Sequence, residues 1–181
     1  GDTFVVEIID EDPLALVNRI GAMPLPPYIR GSLKDGERYQ TVYARRAASA
    51  AAPTAGLHFT PELIDAVTAT GAQIHRVELV VGLDTFKPIS TDNPLDHVIH
   101  SEMYNIEPSV IEACASANRV IAIGTTAVRA LESAASSGNL SGRTNIFITP
   151  GYEWKIVDVM LTNFHLPKTS LLLMIESFVG K

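Results

Sequence analysis

Four of the chain's five histidines stand among residues able to share a proton or a ligand with them. His97, His100 and Glu102 fall within six residues, HVIHSE. An adjacent carboxylate raises imidazole basicity, so the spacing suits a His–Glu acid–base pair. A polar loop with locally satisfied histidines fits the same spacing equally well. A metal site would need a matching Cys or His cluster elsewhere, and Cys114 is the lone cysteine, so no metal site is expected. His58 lies in APTAGLHFT, where small residues on either side of Pro53 and Gly56 let backbone line a pocket and Phe59 offers a stacking face; a compact loop with a half-buried histidine is the plainer alternative. Asn163 and His165, in TNFHLP, follow an expected strand, and ligands gather at the carboxyl ends of strands in open α/β sheets.

Arg119–Arg129 (RVIAIGTTAVR) reads as strand, glycine turn and helix. Gly124 permits a tight turn, and Thr125 or Thr126 can cap a helix whose free N–H groups favour an anion. Arg129, expected in the first helical turn, opposes the helix dipole and so calls for an anionic partner, such as a ligand carboxylate or phosphate. A capped turn beside a surface arginine is the alternative. The P-loop, dinucleotide-binding and nucleophile-elbow patterns are all missing, which argues against those enzyme classes.

These residues must be positioned by a folded core. The chain has 181 residues, 46% apolar and 19% charged, enough to bury one sizeable domain. Net charge is −6, and five acids with no base fall in the first twelve residues. Arg30, Lys34, Arg38, Arg45 and Arg46, interleaved with Tyr28, Tyr39 and Tyr43, form a local basic patch that suits RNA, although such runs are usually solvated faces. Asp84–Glu112, with six acids and one lysine, would repel nucleic acid. A single cysteine excludes an internal disulfide, and no apolar run approaches the roughly 18 residues of a membrane span, so a cytoplasmic setting and no membrane partner are expected.

Strands are expected at Thr3–Ile9, Tyr39–Ala44, Ile74–Val81, Val120–Ile123, Asn145–Ile148 and Ile156–Leu161, the last two around a Pro150–Gly151 turn. Helices are expected at Leu14–Ile20, from Thr60-Pro61-Glu62 to Gly71, at Val110–Ala117 with Val110, Ile111, Cys114 and Ala117 facing the core, and at Ala127–Ser137 closed by Gly138; Leu171–Phe178 is a final apolar helix or a buried segment, with Glu176 at an edge. Alternating strands and helices imply an α/β fold: a mixed, largely buried sheet flanked by helices. The stiff MPLPPYI connector marks a boundary between residues 1–23 and 24–181. The start at Gly1 and the end at Lys181 suggest a piece of a longer protein.

In order along the chain, PLPPYI, RYQTVYA, APTAGLHFT, HSE-x-Y, IGTT-x-x-R, F-I-x-PG and TNFHLP resemble the S-adenosylmethionine:tRNA ribosyltransferase-isomerases of queuosine biosynthesis, from about Pro24 to Gly180. Any one motif is weak; seven in order are specific. The resemblance implies transfer and isomerisation of the ribosyl carbons of S-adenosylmethionine onto the aminomethyl group of a deazaguanine base in the tRNA anticodon. The product is epoxyqueuosine, and adenine and methionine leave. S-adenosylmethionine is then a co-substrate, tRNA the partner, and no metal or redox cofactor is needed. By the same resemblance His58, His100, Glu102 and His165 are candidate acids and bases. Gly124, Thr125, Thr126 and Arg129 suit the methionine carboxylate. Thr54, Gly56 and Phe59 would line the nucleoside or deazaguanine pocket, and Tyr39, Gln40 and Asn163 would contact substrate. It further implies that residues 1–23 end a small β-barrel inserted into the α/β core, that the core here is its C-terminal part, and that Asp84 replaces a usually small residue. Two other readings follow from the same residues: a non-catalytic RNA-binding or scaffold fragment, and an S-adenosylmethionine-dependent methyltransferase.

Overall fold

In a computed structural model of the chain, residues 35–82 and 89–180 are described, together with Val5, 7–9, 12–22, Leu25, Ile29 and Gly31. The PLPPYI connector except for Leu25 and Ile29, the basic-patch residues Tyr28, Arg30 and Lys34, and Asp84 lie outside the described residues. Of the proposed barrel tail, residues 1–23, the described part is Val5, 7–9 and 12–22; it holds the helix Pro13–Ile20 and no strand.

Helix starts follow local chemistry. Helices α1 (Pro13–Ile20), α2 (Pro61–Ala69) and α3 (Pro108–Ser116) each place proline at the first position, where its missing N–H costs nothing. The Asp12 carboxylate accepts from Leu14 N at 3.4 Å and Ala15 N at 3.3 Å. Thr60 Oγ1 accepts from Leu63 N at 3.2 Å, as its position before Pro61 implies. In α3, Val110 is buried and Ile111 and Cys114 half-buried, whereas Ala117 lies beyond the helix and is exposed.

The sheets are two and small. An antiparallel sheet has the order β1 (Glu78–Val80), β2 (Glu102–Asn105), β4 (Ser141–Thr144); a parallel pair joins β3 (Ile121–Ile123) to β5 (Val159–Leu161). Helix α4 (Thr125–Ser137) packs on β1, β3 and β4 and buries Val128, Ala130, Leu131 and Ala134 in the core with Ile106, Ile148 and Met174. It stops at Gly138, which takes the left-handed conformation expected of it (φ 72°). Helix α5 (Ser170–Val179) closes the described chain, and its Glu176 is exposed, as an edge residue should be.

Several expectations are corrected. Tyr39–Ala44 forms no strand: Asp35 caps a 3-10 turn over Gly36–Tyr39 (Glu37 N to Oδ1, 3.0 Å), and Ala44 N donates to Thr41 O at 3.1 Å. Its alternation is met by burying Tyr39 and Thr41 without a partner strand. Asn145–Ile148 is not the strand either. Pairing falls on the preceding Ser141–Thr144, where a Cβ placed on Gly142 would lie 3.9 Å from the Tyr104 ring and Arg143 is anchored to Ser101 Oγ (3.0 Å). The ladder ends because Thr144 Oγ1 captures Ile146 N at 3.1 Å. Strand β1 is shorter than Ile74–Val81, β4 and β5 belong to different sheets, and β3 is not wholly buried, since Ile121 is 54% exposed.

The start of α4 is also corrected. Neither Thr125 nor Thr126 caps it; Gly124 does, at φ 89° and ψ 151°, with no side-chain cap bond, and the helix begins at Thr125 rather than Ala127. Only glycine adopts that backbone at low cost. A Cβ at Gly124 would meet Ala55 Cβ at 3.6 Å, an ordinary contact, so Gly124→Ala tests strain rather than overlap. It is expected to destabilise by about 1–3 kcal/mol, read as a lowered thermal midpoint; an unchanged midpoint would contradict the strained assignment.

Candidate active site

Two groups of candidate residues are arranged along the first two turns of α4. The first surrounds its N-terminus. Gly124 N donates to Leu161 O at 2.7 Å, joining the carboxyl ends of β3 and β5. A 3-10 turn over Thr54–His58 packs against this junction through Ala55. Gly56 is buried there, and a Cβ on it would overlap the Tyr43 hydroxyl. This turn also packs on the Gly36–Tyr39 turn, which brings Tyr39 and Gln40 to the same side; Gln40 Oε1 accepts from Thr41 N at 3.2 Å. His58 is exposed rather than half-buried, and its Nε2 meets Asn163 Oδ1 at 3.3 Å. Phe59 is half-buried. His165 Nε2 meets Thr162 Oγ1 at 3.2 Å.

Burial holds the His165 imidazole below its ordinary pKa. It is therefore neutral at pH 7 and able to accept a proton. The unfolded chain takes up that proton more readily than the folded one, so the stability is present above about pH 6.5 and is lost as pH falls through the lower folded value. The wild-type thermal midpoint should drop on acidification below that pH, and drop less in His165→Gln. Parallel midpoint-against-pH curves for the two proteins would refute this.

The second group centres on Glu102 and Arg129. Glu102 is 5% exposed on β2; its Oε2 accepts from Arg129 Nη1 and its Oε1 from Gly82 N at 3.1 Å. Arg129 therefore does have an anionic partner, but the chain supplies it. With α4 starting at Thr125, Arg129 is the fifth residue, in the second turn rather than the first. It lies about 6 Å along the axis from Thr125 and on the same face. The Arg129 side chain is 11% exposed, and its Nη2 is buried with no hydrogen-bond partner among the described residues. A buried guanidinium N–H left unmatched is unusual.

The pair borders a cavity of about 40 Å³, also lined by His97, His100, Ser170 and Met174. The His97 ring meets Phe147 edge-on, with centroids 6.2 Å apart. His100 is thus brought to Glu102 and Arg129, whereas His58, His165, Gly124 and Asn163 gather at the other end of this stretch of α4, outside that cavity. Ser170 escaped the sequence reading. The Lys168-Thr169-Ser170 stretch before an apolar run is an ordinary helix-start signal, and it would have placed a helix N-terminus here. A wider cleft of about 410 Å³ between α3 and residues 154–158 holds none of the candidates. Its Cys114 thiol is pushed up by burial, which keeps it protonated and unreactive. Among the described residues no three of His, Cys, Asp or Glu come together to hold a metal ion, and no helix is long and apolar enough to cross a membrane. Of the basic patch, Arg46 is engaged with Glu78 at 2.8 Å.

A family model described as queuosine biosynthesis protein matches residues 2–181. The chain belongs to this family. It is 51% identical over 176 residues to the S-adenosylmethionine:tRNA ribosyltransferase-isomerase of Symbiobacterium thermophilum, covering 91% of this chain and 51% of the relative. It is 49% identical over 174 residues to the enzyme of the same name from Natranaerobius thermophilus, covering 92% and 51%. The crystal structure of S-adenosylmethionine tRNA ribosyltransferase from Thermotoga maritima superposes with a TM-score of 0.56 at 36% identity, covering 70% of this chain and 41% of that one. The family expected from the seven motifs is thereby established, and so is the mixed α/β class with small sheets flanked by helices. The chain spans about half the length of the curated relatives it matches.

Proposed function

We propose that this chain carries part of the active site of an enzyme that transfers and isomerises the ribosyl moiety of S-adenosylmethionine onto the aminomethyl-deazaguanine base of tRNA. Epoxyqueuosine forms, and adenine and methionine are released. The observation that carries this reading is 51% identity to a relative of that name over 91% of the chain. The chemistry makes two demands. The sulfonium acidifies the ribose C5′–H, so a base must take that proton; adenine leaves better protonated, so an acid must supply one. His58, His100 and His165 are the proposed acids and bases. The lowered pKa of His165 favours it as an acceptor. Glu102, tied to Arg129 and to Gly82 N, is better suited to holding the arginine than to exchanging protons. The anionic carboxylate of the methionyl portion is assigned to Arg129. The nucleoside and the flipped anticodon base are assigned to the other group: Thr54, Gly56, Phe59, Gly124, Thr125, Thr126 and Asn163, with Tyr39 and Gln40 at the base or its sugar. An anticodon base presented this way is an unstacked base in an RNA loop, the usual target of sequence-specific RNA recognition.

The deciding experiment incubates the protein with precursor tRNA and S-adenosylmethionine labelled in either the ribose or the methyl group, followed by mass spectrometry of the anticodon nucleosides. Ribose label in epoxyqueuosine is expected. Methyl label in the tRNA would make the protein a methyltransferase. RNA binding without S-adenosylmethionine binding would make it a non-catalytic module.

A further inference from the structure

We propose that Phe164 is a stacking platform for the unstacked anticodon base of the tRNA, presented by a loop whose neighbouring side chains are tied down. This rests on the reading of tRNA as substrate and deepens it. The motifs mark Asn163 and His165 on either side of the ring, but neither they nor the comparisons give Phe164 a role.

Exposure, fixation and place converge on this ring. Phe164 is 108% exposed, more than any other large apolar side chain among the described residues. It makes no ring contact among those residues. A scattered apolar residue on a surface needs no explanation, but this one stands on a loop that is held at most of its other positions. At the end of β5, Leu161 O accepts from Gly124 N at 2.7 Å. Thr162 Oγ1 and His165 Nε2 lie 3.2 Å apart, and Asn163 Oδ1 and His58 Nε2 lie 3.3 Å apart. Further on, Thr169 Oγ1 donates to Leu166 O at 2.9 Å and Ile89 N donates to Lys168 O at 2.8 Å. Thr162, Asn163 and His165 are thus engaged within the protein, and Phe164 alone of these four stands out in solvent. A loop fixed in this way has little freedom left to lose on binding, so its ring is ready for a flat partner. Four residues on, Lys168 takes the left-handed conformation at φ 59°, uncommon outside glycine, and its side chain is exposed. An aromatic face with a cation on the same loop is the combination that holds single-stranded nucleic acid. Place completes the argument. Asn163 ties this loop to His58, and Gly124 ties it to the start of α4, so the ring stands among the residues assigned to the base and the nucleoside. It lines neither the cavity at Arg129 nor the cleft at Cys114. A small ligand is held by enclosing about 70–90% of its surface, which an open ring cannot do. A base that belongs to an RNA loop is already held through its backbone, and an open face suffices for it.

The adenine of S-adenosylmethionine offers the same flat face, so the test separates the two sources. Three ligands are compared: S-adenosylmethionine, an anticodon stem-loop carrying the precursor base, and the same stem-loop made abasic at that position. Each is titrated against the wild type, Phe164→Ala, Phe164→Leu and Phe164→Trp. Phe164→Ala should bind the precursor stem-loop about 5- to 150-fold more weakly, the range for one stacked base. Its thermal midpoint and its affinity for S-adenosylmethionine should stay as in the wild type. Phe164→Leu keeps apolar bulk without a π-face and should remain weak, whereas Phe164→Trp should recover the lost affinity. The abasic stem-loop should bind the wild type and Phe164→Ala alike, because the partner of the ring is gone. An equal loss on abasic and intact RNA overturns the proposal, and so does full recovery by leucine, which would mark ordinary packing. A lowered midpoint in Phe164→Ala also overturns it, since the ring would then be covered by protein. Weakened S-adenosylmethionine binding with the stem-loop unaffected would assign the ring to adenine instead. Stem-loop binding unchanged in Phe164→Ala overturns the platform alone. A wild type that binds no precursor stem-loop overturns the platform and the proposed function together.

Discussion

Glu132→Ala is expected to leave the protein largely unfolded at physiological temperature. Glu132 is fully buried in the middle of α4, and its carboxylate is the acceptor for a whole loop. Its Oε1 accepts from Ile156 N at 3.1 Å and Val157 N at 3.0 Å; its Oε2 accepts from Lys155 N at 3.1 Å and the Tyr152 hydroxyl at 2.9 Å. Burial, reinforced by this carboxylate, pushes the Tyr152 phenol up to about 12, so it stays a donor throughout the working pH range. Alanine would orphan three backbone donors, each worth about 1–3 kcal/mol when buried unmatched, and would leave the Tyr152 hydroxyl with Ser136 Oγ alone, at 3.1 Å. The sum rivals the whole stability of an ordinary domain, about 5–15 kcal/mol. Glu132→Gln keeps one acceptor oxygen but turns an amide donor toward backbone donors, and should lose roughly half as much. Urea unfolding of the three proteins gives the answer; an alanine variant within about 1 kcal/mol of wild type would show that water replaces the carboxylate.

Breaking the Glu102–Arg129 pair should come next in size and should also silence the chemistry. Either Glu102→Gln or Arg129→Met leaves a charge in a nearly closed site, a loss of about 3–5 kcal/mol. The double variant removes both charges and should be more stable than the sum of the single losses predicts, because no ion is left stranded. All three should lose ribosyl transfer to tRNA under the proposed function, whereas only the single variants should be severely destabilised. Purely additive unfolding energies would mean that the two side chains do not depend on each other, and near-normal turnover in all three would remove them from the active site.

Local structure was readable from the residues because it is decided within a few positions. Thr60-Pro61 starts a helix wherever the chain places it, and Gly138 ends one, since capping and left-handed backbone are satisfied by neighbours. Reactive residue types could also be picked out, because His58, His100, Glu102, Arg129 and His165 are unusual in their local settings. Failures came where a distant partner competed with the local signal. Asn145–Ile148 has the better strand composition, yet Ser141–Thr144 pairs, because Tyr104 of β2 and Ser101 just before it offer it a cover and an anchor. Tyr39–Ala44 alternates like a strand but has a turn to pack on instead of a neighbouring ladder.

The types of groups available, the starts and stops of most helices and the family motifs were all set by residues close together along the chain. Which groups meet was not. Glu102 and Arg129 are 27 residues apart, and His58 and Asn163 are 105 apart. Arg129 signalled an anionic partner, but a ligand and a buried glutamate satisfy that signal alike, and the choice depends on how β2 packs against α4. Pairings of this kind depend on desolvation and on the relative placement of whole elements, and neither quantity is defined until the core has closed.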